Sequence, residues 1–164
     1  MDSNLQKTKK VPPTRTVASE LTGITTDTTG CGQMNLVSCS IFKAINSQRV
    51  LNGLSELKPL SNCIQLAQSH AEDMALNNFF SHTSPTLGTF AIRVGTFALG
   101  GYTGENIASG YTTIDGLVAG WMNSTGHRAN ILNSVYNSTG VGYAKDASGR
   151  SLYVQCFNSG SGDQ

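Results

Sequence analysis

The sequence predicts an α+β domain in which helices cover a mainly antiparallel sheet. Apolar residues recur at helical spacing through the middle of the chain, β-prone runs gather towards its C-terminus, and no internal repeat breaks that order. With 164 residues and a hydrophobic fraction of 38%, the chain has material for one ordinary core.

Taken in order, the first thirty residues are rich in Thr, Lys and Ser and carry Pro12 and Pro13 without sustained periodicity. A flexible arm is therefore expected over residues 1–35, a compact domain over 36–158 and a short tail over 159–164. The run from Ser38 to Leu51 reads as a helix stopped by Asn52-Gly53. Leu60, Ile64, Ala67, Ala71, Met74 and Asn78 recur three and four apart, marking a second helix that Ser61 is placed to cap. Residues 79–104 are Gly- and Thr-rich, a long loop with one helical turn near Phe90–Val94. Thr113 opens a third helix whose buried face is Ile114, Leu117, Val118, Trp121 and Met122. Gly126 is expected to interrupt it, with a further short turn at Arg128–Leu132. Val141, Tyr143 and Leu152–Phe157 then form a hairpin across Asp146-Ala147-Ser148-Gly149.

Charged residues make up 13% of the chain, about half the usual share, and the net charge is +1. That balance leaves no footprint for nucleic acid. The one basic cluster, Lys7, Lys9, Lys10 and Arg15, lies in the polar arm. No apolar run approaches the ~20 residues that span a bilayer. Cys31, Cys39, Cys63 and Cys156 form an even set with three possible pairings and no CxxC spacing, which favours disulfides over a zinc–thiolate site. Oxidised cysteines and the sequons at Asn123 and Asn137 point outside the cell, although the first thirty residues hold no apolar stretch of about 7–15 residues that would mark a signal peptide.

Imidazole chemistry must draw on His70, His82 and His127. His70 lies beside the apolar stripe of the second helix and reads as a packing residue. His82 and His127 sit at element ends, where side chains converge on clefts. Glu105 is the only carboxylate between Asp73 and Asp115, in a glycine-rich, apolar setting. If buried it needs a partner, for which Arg93, Arg128 or an imidazole would serve. Two histidines and one carboxylate with an open position also make up the ligand set of many catalytic zinc sites.

The stretches Ala67-Gln68-Ser69-His70-Ala71-Glu72-Asp73-Met74, Phe80-Ser81-His82, Gly104-Glu105-Asn106-Ile107-Ala108, Trp121 through Leu132, Gly140-Val141-Gly142 and Tyr153-Val154-Gln155-Cys156-Phe157 occur in an order and spacing that resemble the CAP superfamily (SCP/PR-1-like domains), in its compact bacterial form. The resemblance runs from about Ile45 to Phe157. It implies a three-layer α-β-α sandwich with a cleft of two histidines and two acids. By motif position these are His82, His127 and Glu105, while Ser124 stands where the second acid usually lies.

The resemblance implies a secreted, monomeric binding or interaction domain, with His82, Glu105 and His127 available to Zn²⁺ or another divalent cation. Its ligand is expected to be that cation, a lipid or sterol, or an extracellular protein. Phe79, Phe80, Phe90, Ile92 and Phe97 are candidates for an apolar groove, although core packing explains them equally well. The alternative is a hydrolase or peptidase, metal-dependent or built on Ser124, His127 and Glu105. Replacing Glu105 by Gln is expected to remove metal binding or activity and to leave the fold intact.

Overall fold

A computed structural model describes residues 21–160. Its elements are α1 (Leu36–Leu51), β1 (Lys58–Pro59), α2 (Ser61–Leu76), α3 (Phe90–Thr96), β2 (Thr103–Ser109), α4 (Ile114–Met122), α5 (Thr125–Ile131), β3 (Ser138–Lys145) and β4 (Ser151–Asn158). The strands form one sheet in the order β1-β3-β4-β2, in which only the β1–β3 pair is parallel.

Alternation along β4 separates the two faces of this sheet. Leu152, Val154 and Cys156 pack with Cys63, Leu66, Ala67 and Met74 of α2. Tyr153 and Phe157 point the other way, towards Ile41 and Ile45 of α1 and Leu117 and Trp121 of α4. The result is the expected α-β-α sandwich. Disulfides join Cys31 to Cys39 and Cys63 to Cys156, and the second ties α2 to β4.

Local chemistry explains most element ends. Asn35 caps α1 by accepting from the Ser38 amide, and Gly53 leaves that helix at a φ of 77°. Thr113 caps α4 through the Gly116 amide, and Thr89 caps α3 through that of Ile92. The hairpin turn is held by Asp146, whose side chain accepts from the amides of Ser148 and Arg150.

Four details depart from the expectations. The chain enters α2 at Leu60, because the Leu60 amide still pairs with Thr139 beyond β1; Ser61 is therefore the first helical residue and not the cap. The break after α4 falls at Asn123–Ser124, and Gly126 lies inside α5. Gly104–Ala108, assigned no element from sequence, belongs to β2 and is buried throughout, so it shows no polar alternation. Residues 21–35 are part of the packed body. Leu21, Cys31 and Met34 are in the core, and Thr22 exchanges backbone hydrogen bonds with Thr112 and Ile114. The first twenty residues of the expected arm, and 161–164 of the expected tail, lie outside the described residues. No described helix is long and apolar enough to cross a membrane.

Candidate functional site

β2 is the edge strand at which the candidate residues meet. The pleat sends neighbouring side chains to opposite faces, so Glu105 and Asn106 serve different helices. Glu105 shares its face with Ile107, on the α2 side, and its side chain is 2% exposed. Arg93 of α3, 1% exposed, meets it bidentately: Nη1 donates to Oε2 at 2.7 Å and Nη2 to Oε1 at 3.0 Å. His82 Nδ1 lies 2.8 Å from the same Oε1. With the carboxylate ionised, Nδ1–H is the donor and Nε2 stays outside the pair. Burial alone would push the Glu105 carboxyl up, but the hydrogen bonds from His82 and Arg93 and the Arg93 charge outweigh it and hold the group below its ordinary value.

The segment that carries His82 is fastened from beneath. His70, fully buried on α2, lies 2.9 Å through Nε2 from the Ser81 carbonyl. Arg93 Nη2 donates to the His82 carbonyl at 2.6 Å. Asp73, one turn along from His70, accepts from Ser84 Oγ at 2.5 Å and from Thr86 Oγ1 at 3.1 Å. His82 itself is 54% exposed.

On the other face, Asn106 Nδ2 donates to the His127 carbonyl at 3.1 Å, and Asn130 Nδ2 donates to Asn106 Oδ1 at 2.9 Å. These bonds dock α5 on β2 and set His127, half-buried, beside Trp121 at 6.4 Å between ring centroids. Burial, and then the charge of the nearby His82, hold His127 below the usual imidazole range. The two imidazoles are therefore close enough to act on each other electrostatically.

Ser124 precedes α5, and its side chain makes no capping hydrogen bond. Glu105 orients His82 and not His127, so the Ser124–His127–Glu105 alignment considered from sequence is not formed. Glu105 does not fit as a direct metal ligand either, because a guanidinium holds both its oxygens; among the described residues no three His, Cys, Asp or Glu side chains form a metal-ligand group. Of the apolar candidates, Phe79, Phe90 and Phe97 pack against the α2-side core, while Phe80 and Ile92 stay exposed. Open grooves of about 570 Å³ beside Val118 and Met122, and about 600 Å³ beside Phe42 and Lys58, include none of the three histidines.

Sequence reasoning leaves the partner of Glu105 open between Arg93, Arg128 and an imidazole. The structure uses Arg93 and His82 together. From sequence His70 reads as a packing residue, and its link to the His82 segment has no sequence signal, since it runs to a backbone carbonyl.

Residues 42–157 match the Cysteine-rich secretory protein family, CAP. The chain belongs to that family. This CAP domain is 35% identical over 133 residues to the uncharacterized protein YkwD of Bacillus subtilis (strain 168), an alignment covering 80% of the chain and 51% of YkwD. It is 38% identical over 118 residues to the uncharacterized membrane protein YlbC of the same organism, covering 71% of the chain and 33% of YlbC. The chain thus spans about half of one curated relative and a third of the other. Among solved structures, an extracellular SCP-domain protein of Bacillus anthracis superposes with a TM-score of 0.68 at 36% identity, covering 74% of this chain and 40% of that one. An outer surface protein of Borrelia burgdorferi shares the fold at a TM-score of 0.66 and 22% identity, over 72% of this chain and 88% of its own.

Proposed function

We propose that this CAP domain is an extracellular, non-enzymatic binding module whose cleft presents the imidazoles of His82 and His127 to a ligand. The observation that carries the reading is the full engagement of Glu105. A carboxylate held by Arg93 and by His82 Nδ1 is neither a free base nor a free ligand; it is a support that fixes one imidazole and leaves its Nε2 outward. A divalent cation such as Zn²⁺ taken there would be held by His82 and His127, with Glu105 behind His82, and would supply a Lewis-acidic centre. Two neutral imidazoles in an exposed cleft imply modest affinity. The disulfides, and the extracellular relative from Bacillus anthracis, support the compartment. Exposed Phe80 and Ile92, on the segments flanking His82, suit a lipid or protein ligand alongside the cation.

The test is calorimetric titration of Zn²⁺ into metal-free protein at about pH 7.5, beside a His82→Ala/His127→Ala variant. Saturable binding near one equivalent in the parent and none in the variant is the expected result. Absent binding, or equal binding in both proteins, overturns the cation reading.

A hydrolase is the second reading, and the Glu105–His82 pair is the observation in its favour, since a carboxylate behind an imidazole is how general bases are oriented. Hydrolysis by this route would fall with His82→Ala and survive Ser124→Ala.

A further inference from the structure

His70 is an expensive residue for packing alone. Its ring touches Phe79 at 6.0 Å between centroids, a contact that an apolar side chain would make without burying two nitrogens. Nδ1 is buried and makes no hydrogen bond, so the polar interaction of the whole side chain goes to one atom, the Ser81 carbonyl oxygen. A carbonyl only accepts, which places the proton on Nε2 and leaves Nδ1 as the bare nitrogen.

That one bond acts on His82 through the backbone. The Ser81 carbonyl belongs to the peptide plane before His82, and the His82 carbonyl belongs to the plane after it. His70 of α2 holds the first, and Arg93 of α3 holds the second at 2.6 Å. Peptide units are rigid, so fixing the two planes on either side of a residue fixes its φ and ψ and hence its Cα–Cβ direction. His82 needs this. With 54% of its side chain exposed, little packing aims the ring, and one hydrogen bond to Glu105 leaves the backbone beneath it free to shift.

The geometry points to His70 as a positioning residue for His82, a buried Nε2–H imidazole that locks the Ser81–His82 peptide plane and so aims the His82 ring at Glu105 and the cleft. Its consequence for ligand affinity rests on the function proposed above; its effect on His82 does not.

Imidazole ¹⁵N spectra of the intact protein test this without any ligand. In the parent, His70 is expected as the Nε2–H tautomer and His82 as Nδ1–H. His70→Gln carries an amide donor near the Nε2 position and should leave the His82 signature unchanged. His70→Asn, also polar but shorter, should let His82 drift towards the Nε2–H form that free imidazole prefers. Zn²⁺ affinity should fall about tenfold with Asn and hold with Gln, the scale of a lost supporting hydrogen bond at a metal ligand. A parent His70 protonated on Nδ1, or an unchanged His82 signature in His70→Asn, overturns the assignment, and the parent spectrum decides even if that variant does not fold. Failure of the parent to bind Zn²⁺ overturns the cation reading alone, because the tautomer result stands independently.

Discussion

Arg93 and Glu105 face each other with side chains 1% and 2% exposed, joined by hydrogen bonds of 2.7 and 3.0 Å. A pair buried this deeply gains little over an apolar pair, because desolvation consumes the Coulomb energy, but either half alone is a stranded charge. Phe90 adds a ring face 5.4 Å from the guanidinium carbon, and the His82 carbonyl takes a further Arg93 proton. Arg93→Met should therefore cost about 3–5 kcal/mol, seen as a lower urea midpoint. Glu105→Gln should cost a similar amount by stranding the guanidinium. The double variant should lose clearly less than the two costs added, because neither charge is then left behind. A strictly additive result would mean that the two residues do not act as a pair. This changes the meaning of Glu105→Gln, which the sequence alone suggested would spare the fold: loss of ligand binding in that variant has to be read against loss of stability.

At the scale of elements, the approach of α2 to β3 depends on two missing side chains. A Cβ built on Gly140 would fall 2.1 Å from the Ile64 backbone nitrogen, and one on Gly142 would fall 2.3 Å from the Ala67 carbonyl carbon and oxygen. Those are backbone atoms and have no rotamer in which to retreat, so the helix would have to lift off the sheet. Gly142→Ala should destabilise by about 1–3 kcal/mol or somewhat more, the range for overpacking, and should disturb the His70–Ser81 contact carried by the same helix. Gly95→Ala in α3 has open space around its Cβ and serves as the matched control; in a urea series it should be neutral or stabilising by under about 1 kcal/mol. The helices themselves are legible because each buries one stripe. β2 is not, because burial on both faces removes the alternation by which a strand is recognised, and Glu105 and Asn106 leave no apolar run in its place. From sequence, His82 and His127 stand out as scarce imidazoles at element ends and Glu105 as a solitary carboxylate, and the family resemblance joins the three. That Glu105 takes Arg93 and His82 together, that Cys31 pairs with Cys39, and that residues 21–35 join the core are contacts between distant segments, on which local periodicity is silent.

For the molecule as a whole, the titrating groups His70, Asp73, Glu105 and His127 act in one direction. Cys63–Cys156 closes a separation of 93 residues and so restrains the unfolded chain by roughly 4–5 kcal/mol, which joins α2 and the sheet into one cooperative unit. Within it, burial and then the Arg93 charge hold His70 below its ordinary 6.5, as burial and His82 hold His127. Hydrogen bonds hold Glu105 below 4.5 and Asp73 below 3.8 against the opposing effect of burial. In every case the unfolded chain takes up a proton more readily than the folded one, so stability rises with pH across each window and falls on acidification. The imidazoles act first. Their contribution is complete above about 6.5 and is lost as pH drops through the folded values beneath it, whereas the carboxylates hold theirs until about pH 4.5 and below. Urea midpoints measured at about pH 7.5, 5.5 and 3.5 should therefore decline in two stages, and His70→Gln, which carries no titrating ring, should show a smaller first stage. Equal midpoints at the two higher values would mean that His70 and His127 accept protons in the folded domain as easily as in the unfolded chain. That would place them in a solvated setting at odds with the burial of His70 between α2 and the segment that carries His82.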